Sequence, residues 1–177
     1  MRFVKPAVPR IRLLALTLLL AASASGALGQ PASSTFSVKL MTPETALAAA
    51  RAAFDDCRRQ GYQVSVAVVD RFGIVQVLLR DRFAGAHTVS VASDKAWTAA
   101  SFRIASAALG EETQAGKPMS ALRAHPRVLA AGGGLVIESG GALLGAIGVS
   151  GAPGGDADDS CARAGIRAIT DALELQG

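Results

Sequence analysis

Two pairs of apolar runs, each pair split by turn residues, constrain this chain more than any other feature. Val64 to Val69 is β-branched and apolar, Asp70-Arg71-Phe72-Gly73 is a turn signal, and Ile74 to Leu79 is a second apolar run. Together they read as a β-hairpin. The pattern returns downstream: Gly132-Gly133-Gly134 opens Leu135 to Ile137, Gly140-Gly141 is a two-residue turn, and Ala142 to Val149 follows as a strand containing Gly145 and Gly148. Hairpin-joined strands are antiparallel, so a wholly parallel sheet is excluded.

Helical patterns surround the hairpins. Thr42 can cap a helix, Pro43 fits its first turn, and Glu44 complements the positive end of the helix dipole. Leu47, Ala50, Phe54 and Cys57 then recur at helical spacing, and Gly61 supplies a stop. Val89 to Phe102 is Ala-rich and helical in spacing, and carries Asp94 and Lys95. From Ile104 to Arg127 the pattern weakens to short turns and loops punctuated by Gly110, Gly116-Lys117-Pro118 and His125-Pro126. A glycine-rich loop, Ser150 to Gly155, leads to a last helix through Leu175, with Asp156 or Asp158 as its cap. The order α, β, β, α, short α, β, β, α predicts an α/β fold: a single layered domain, with an antiparallel sheet built from two hairpins and helices packed against it. A chain of 177 residues fits one modest domain, and no solenoid-type repeat interrupts it.

Charge is distributed unevenly. Lys and Arg number 18 against 14 Asp and Glu, a net charge of +4, yet Arg2, Lys5, Arg10 and Arg12 all precede Leu13 and no acidic residue occurs before Glu44. Without those four bases the two signs balance at 14 each, so the basic excess is not a property of the folded surface. The basic opening, the apolar run Leu13 to Ala22 and the small residues Ser23 to Gly29 read as a secretory signal peptide over 1–29. Ala27 and Gly29 fit a cut before Gln30, and Ala22 and Ala24 fit an earlier one. The apolar run is roughly half the ~20 residues a membrane span needs, so no span is expected in the mature protein. Residues 30–41 read as a flexible lead-in and 42–177 as the domain, in a periplasmic or secreted protein. There is no basic or aromatic stripe of the kind nucleic acid would require.

Export bears on the cysteines. An oxidising compartment allows Cys57 and Cys161 to pair, while the alternative is two small buried apolar residues; the sequence leaves both open. Two cysteines and two distant histidines lack zinc-ligand spacing. Gly148-Val149-Ser150-Gly151 departs from the nucleophile elbow, and Gly132-Gly133-Gly134 precedes a strand with no Lys-Ser/Thr behind it, which argues against a serine hydrolase and a phosphate loop. The acids of Gly154-Gly155-Asp156-Ala157-Asp158-Asp159 depart from calcium-loop spacing, and helix capping accounts for them.

Four segments in order carry a family resemblance: Val68-Val69-Asp70-Arg71-Phe72-Gly73; Arg80-Asp81 followed by Ala84-Gly85-Ala86; Lys95-Ala96-Trp97-Thr98-Ala99; and Gly145-Ala146-Ile147-Gly148-Val149-Ser150-Gly151. From Thr42 to Ile169 the chain resembles the GlcG/HbpS haem-binding-like family. The resemblance implies a compact α/β domain that assembles into homo-oligomers, and haem as the cofactor of some members, one of which takes part extracellularly in iron release. Other members sit near glycolate or alcohol oxidation systems or are fused to corrinoid adenosyltransferases. The glycine and alanine content, which leaves flat small-residue faces, also suits self-association.

A haem site needs an apolar slot, an axial ligand and cations for the propionates. His87, at the start of the central helix beside the Arg80-Asp81 loop, is the candidate axial ligand; His125, Met41, Met119 and Tyr62 follow it, and an ordinary surface or capping role is the alternative for either histidine. Arg80 and Lys95 are candidates for binding a carboxylate of haem or of a small organic acid, with Asp81 beside them; internal ion pairs, for example Lys95 with Asp70, are the alternative. The expected function is an exported ligand-binding protein, resembling haem-binding relatives, that sequesters haem or assists iron release. An accessory protein or enzyme for small hydroxy-acid or alcohol oxidation, using Arg80 and Lys95 as carboxylate anchors, is the alternative, and a partner-binding subunit without a small ligand is a third.

Overall fold

The structure is a computed structural model in which residues 33–175 are described, so the expected signal peptide lies outside the described residues. The chain divides into Met1–Ser37 and Val38–Gly177, and the fold set out below is that of the second unit.

Helix α1 spans Pro43–Arg59. It starts where the Thr42 hydroxyl accepts the Thr45 N–H at 3.2 Å and stops at Gln60, after which Gly61 takes a φ of +83°. Its inward face is Ala46, Ala49, Ala50, Ala53, Phe54 and Cys57. Leu47, expected on that face, is exposed, because the face is set by a run of alanines one position out of step with it. Met41, at the end of the expected lead-in, is buried in the core.

The first hairpin is β1 (Ser65–Asp70) and β2 (Val75–Arg80). Its turn is fastened by Asp70, whose carboxylate accepts the N–H groups of Phe72 at 2.8 Å and Ile74 at 3.0 Å. The second is β3 (Gly134–Ser139) and β4 (Ala142–Ser150); Gly140 and Gly141 have φ of +57° and +75°, the double positive φ that this two-residue turn demands. The two hairpins join through β1 and β4, giving an antiparallel sheet of order β2-β1-β4-β3. Helix α2 (Thr88–Phe102) is followed by α3 (Ser106–Glu112) and a 3-10 turn at Ser120–Ala124. Helix α4 (Gly155–Glu174) is preceded by Gly154. Asp156 and Asp158, expected as caps, instead fall within its first turn, because the chain turns into the helix earlier.

The sheet separates the helices. Val66, Val68, Ile137, Ile147 and Val149 pack toward α1 and α4 with Ala49, Ala53, Phe54 and Ile169, while Val69 and Ala146 face Ala96, Ala99 and Ala100 of α2. Strand alternation produces this two-sided burial. Helix α2 lies close because β4 carries no side chain at Gly148, where a Cβ would run into the carbonyl of Ala92. Cys57 and Cys161 are joined by a disulfide with Cα atoms 5.5 Å apart, fixing α1 to α4 inside the core. Among the described residues no helix is long and apolar enough to cross a membrane.

Candidate functional site

Register determines where the loops converge. Ser65 pairs with Arg80 on one side and with Ser150 on the other, so the start of β1 and the ends of β2 and β4 lie at the same end of the sheet. The segments entering or leaving there form a cleft of about 570 Å³ lined by Gly61, Tyr62, Gln63, Phe83, Gly85, His87, Thr88, Ser150, Gly151, Ala152, Pro153 and Asp158. An adjoining recess of about 220 Å³ shares Gly61, Tyr62, Gln63 and Phe83 and adds Arg58, Asp81 and Arg82.

His87 stands at this cleft as the residue before α2, and its side chain makes no capping bond. The ring lies against Gly85: a Cβ there would be 2.6 Å from the His87 Cε1 and 2.8 Å from Nδ1. The side chain is exposed, and among the described residues neither imidazole nitrogen has a hydrogen-bond partner. The backbone beneath is anchored by buried Thr88, whose hydroxyl donates to the Gly85 carbonyl at 2.7 Å and lies 2.7 Å from the Ser65 hydroxyl.

Arg80 and Asp81 secure the loop itself. The Arg80 guanidinium donates to the Ala84 carbonyl. Asp81 is buried; its carboxylate accepts the Phe83 N–H at 3.2 Å and pairs with Arg58 Nε at 3.2 Å, and its own N–H donates to the Val64 carbonyl at 2.9 Å. Asp81 lines the recess, whereas Arg80 lines neither cavity.

Lys95 is placed differently from the sequence expectation of a ligand anchor or a partner for Asp70. Its Nζ is buried, 2.7 Å from Asp158 Oδ2, and donates to the Val149 carbonyl at 3.0 Å. Asp158 also accepts the Ala152 N–H at 3.0 Å, tying the glycine-rich loop to the start of α4. Burial raises the Asp158 carboxyl above its ordinary range, the Lys95 ammonium and the Ala152 N–H pull it back, and neighbouring Asp159 pushes it up again. Asp70 is occupied in its own turn.

His125 lies outside the cleft. Its ring stacks on Trp97 with centroids 5.4 Å apart, and its Nδ1 accepts the Arg127 N–H at 3.2 Å. Of the other weaker ligands, Tyr62 lines the cleft, Met41 is in the core, and Met119 lines neither the cleft nor the recess. No cluster of three His, Cys, Asp or Glu side chains suited to a metal ion occurs among the described residues. Phe83, Arg58, Arg82, Ser150 and Asp158 were not picked out as site residues by sequence; the one local hint was the unbroken family motif ending in Ser150-Gly151.

Comparison with known proteins completes the picture. A family model described as haem degrading protein HbpS-like matches residues 41–167. A solved double mutant of HbpS from Streptomyces reticuli is 35% identical, covers 82% of this chain and 98% of its own, and superposes with a TM-score of 0.73. The DUF336 protein ORFY of Klebsiella pneumoniae is 25% identical over 82% of this chain and 100% of its own, with a TM-score of 0.77. A PduOC:haem complex is 27% identical over 74% of this chain and 96% of its own, with a TM-score of 0.69. No curated protein sequence is similar enough to count as a match.

Proposed function

Because the chain belongs to the HbpS-like haem-degrading protein family, we propose that it is an exported, homo-oligomeric haem-binding protein that sequesters haem or assists release of its iron, using the cleft at His87. The observation that carries this reading is the His87 imidazole, exposed at the cleft beside Gly85 and bonded by neither nitrogen to the described residues. The donor set suits the group: a histidine for iron, Phe83 and Tyr62 as aromatic surface, and Arg82 in the adjoining recess as the cation for a propionate, Arg58 there being paired with Asp81. Bound haem would supply an iron centre for ligand exchange and electron transfer. The chain's own part is to present His87, exclude water with Phe83 and hold the propionate edge. Phe83 is 70% exposed, and an aromatic side chain left so open suits burial against haem or a second copy. The expected leader over 1–29 supports export.

A small carboxylate is the second reading, favoured by the polar lining of Tyr62, Gln63, Thr88 and Ser150. Its anchor would be Arg82, because Lys95 is already paired with Asp158 and Arg58 with Asp81. Haemin titration of purified protein separates the two. A saturable, shifted Soret band that is lost in His87→Ala and kept in His125→Ala supports haem. A spectrum like that of free haemin in every variant removes the haem reading and favours the small acid.

A further inference from the structure

A second groove, of about 420 Å³, lies where α4 meets β3, away from the His87 cleft, and its chemistry is the reverse of the cleft's. It is lined by Ala105, Leu135, Val136 and Ile166, with Arg163 and Arg167 as its only charged groups. Among the described residues β3 pairs with β4 alone, so the groove borders an edge strand of the sheet. The two arginines stand one helical turn apart, where like charges oppose each other. Among the described residues their one ion-pair partner is Asp159, 3.9 Å from Arg163, and Arg167 has none. Nearby, α2 ends at Arg103 with a φ of +55°, a left-handed conformation usually given to glycine. An apolar lining with a few convergent charges is the composition of a small-molecule site. Two guanidinium groups without a firm carboxylate partner supply the positive half of a charge-assisted pair.

We propose that this groove binds an amphiphile consisting of an alkyl chain and a carboxylate, with the chain against Leu135, Val136 and Ile166 and the carboxylate held by Arg163 and Arg167. The site is independent of the His87 cleft.

Calorimetric titration of the purified protein with dodecanoate, below its micelle concentration, tests this, with dodecanol as the uncharged probe. Saturable binding of dodecanoate is expected, weakened about tenfold or more in Arg163→Gln/Arg167→Gln while dodecanol binds that variant as it binds the wild type. Ala105→Trp, which fills the groove, is expected to abolish both; should that variant not fold, the arginine variant alone decides. Affinity unchanged in His87→Ala and with haemin already bound supports a separate site, whatever the outcome of the haemin titration. Absence of saturable binding, equal dodecanoate affinity in the arginine variant, competition by haemin, or a second copy of the chain occupying the groove in solution overturns the proposal.

Discussion

The Nζ of Lys95 on α2 and Oδ2 of Asp158 on α4 meet at 2.7 Å, both side chains buried, at the end of the sheet that carries the cleft. This contact joins helices from opposite faces of the sheet and, through the Ala152 N–H, holds the glycine-rich loop that forms one wall of the site.

Removing one partner leaves the other as a buried charge. Lys95→Met is expected to cost about 3–5 kcal/mol, because the Asp158 carboxylate loses its cation without regaining water. In Lys95→Met/Asp158→Asn no buried charge is left alone and the amide oxygen still accepts from Ala152, so much of the loss is recovered. Urea unfolding of the two variants measures this; a double variant no more stable than the single one would contradict it.

The same carboxyl makes stability depend on pH. Burial raises it above its ordinary 3.8, so the folded state holds the Asp158 proton more tightly than the unfolded chain does. Its contribution is therefore complete below the unfolded value and is lost as pH rises through the raised folded value. The stability of wild type relative to Asp158→Asn should fall as pH is taken upward from about 4. Unfolding curves at a series of pH values check this, and a relative stability that grows with pH would show the wrong sign.

The absence of a side chain at Gly85 leaves room for the His87 ring. The φ of Gly85 is not in the left-handed region, so alanine suits the backbone, but the added Cβ would meet the ring at 2.6 Å. The ring is the mobile end of a side chain and can swing aside, so Gly85→Ala should keep the melting temperature within about 2 °C while weakening haemin binding and altering its Soret band. An unchanged spectrum would mean that the ring position is irrelevant to the ligand.

The disulfide closes a sequence separation of 104 residues. Cys57→Ala/Cys161→Ala is expected to lose about 2–5 kcal/mol of stability. Under denaturing conditions the untreated protein should show no titratable thiol, because neither cysteine is free, and reduction should expose both. Thiols before reduction, or a variant melting with the wild type, would count against a structural bridge.

Much of the fold is legible locally. Asp70 and Gly73 signal a turn because a short acceptor and a glycine at φ +78° are what its geometry requires, and Gly140-Gly141 does the same for the second hairpin. Thr42 and Pro43 announce α1 by the bonds that a helix start needs. Leu47 misled because alanines, which carry little hydropathy signal, define the buried face. His87 was visible as a candidate beside its loop, but the bare nitrogens and the glycine beneath the ring were not.

The chain's two hairpins, the start of α1 and the family motifs were determined by the sequence itself, since each depends on residues a few positions apart. Tertiary structure alone decided the rest. The pairing of β1 with β4 brought together loops that lie far apart in the chain, and only then did Lys95 find Asp158 63 residues away, Arg58 find Asp81, and Cys57 find Cys161. Partners of a buried charge are selected by which groups share its low-dielectric surroundings, a property of the packed sheet and helices that no local spacing encodes.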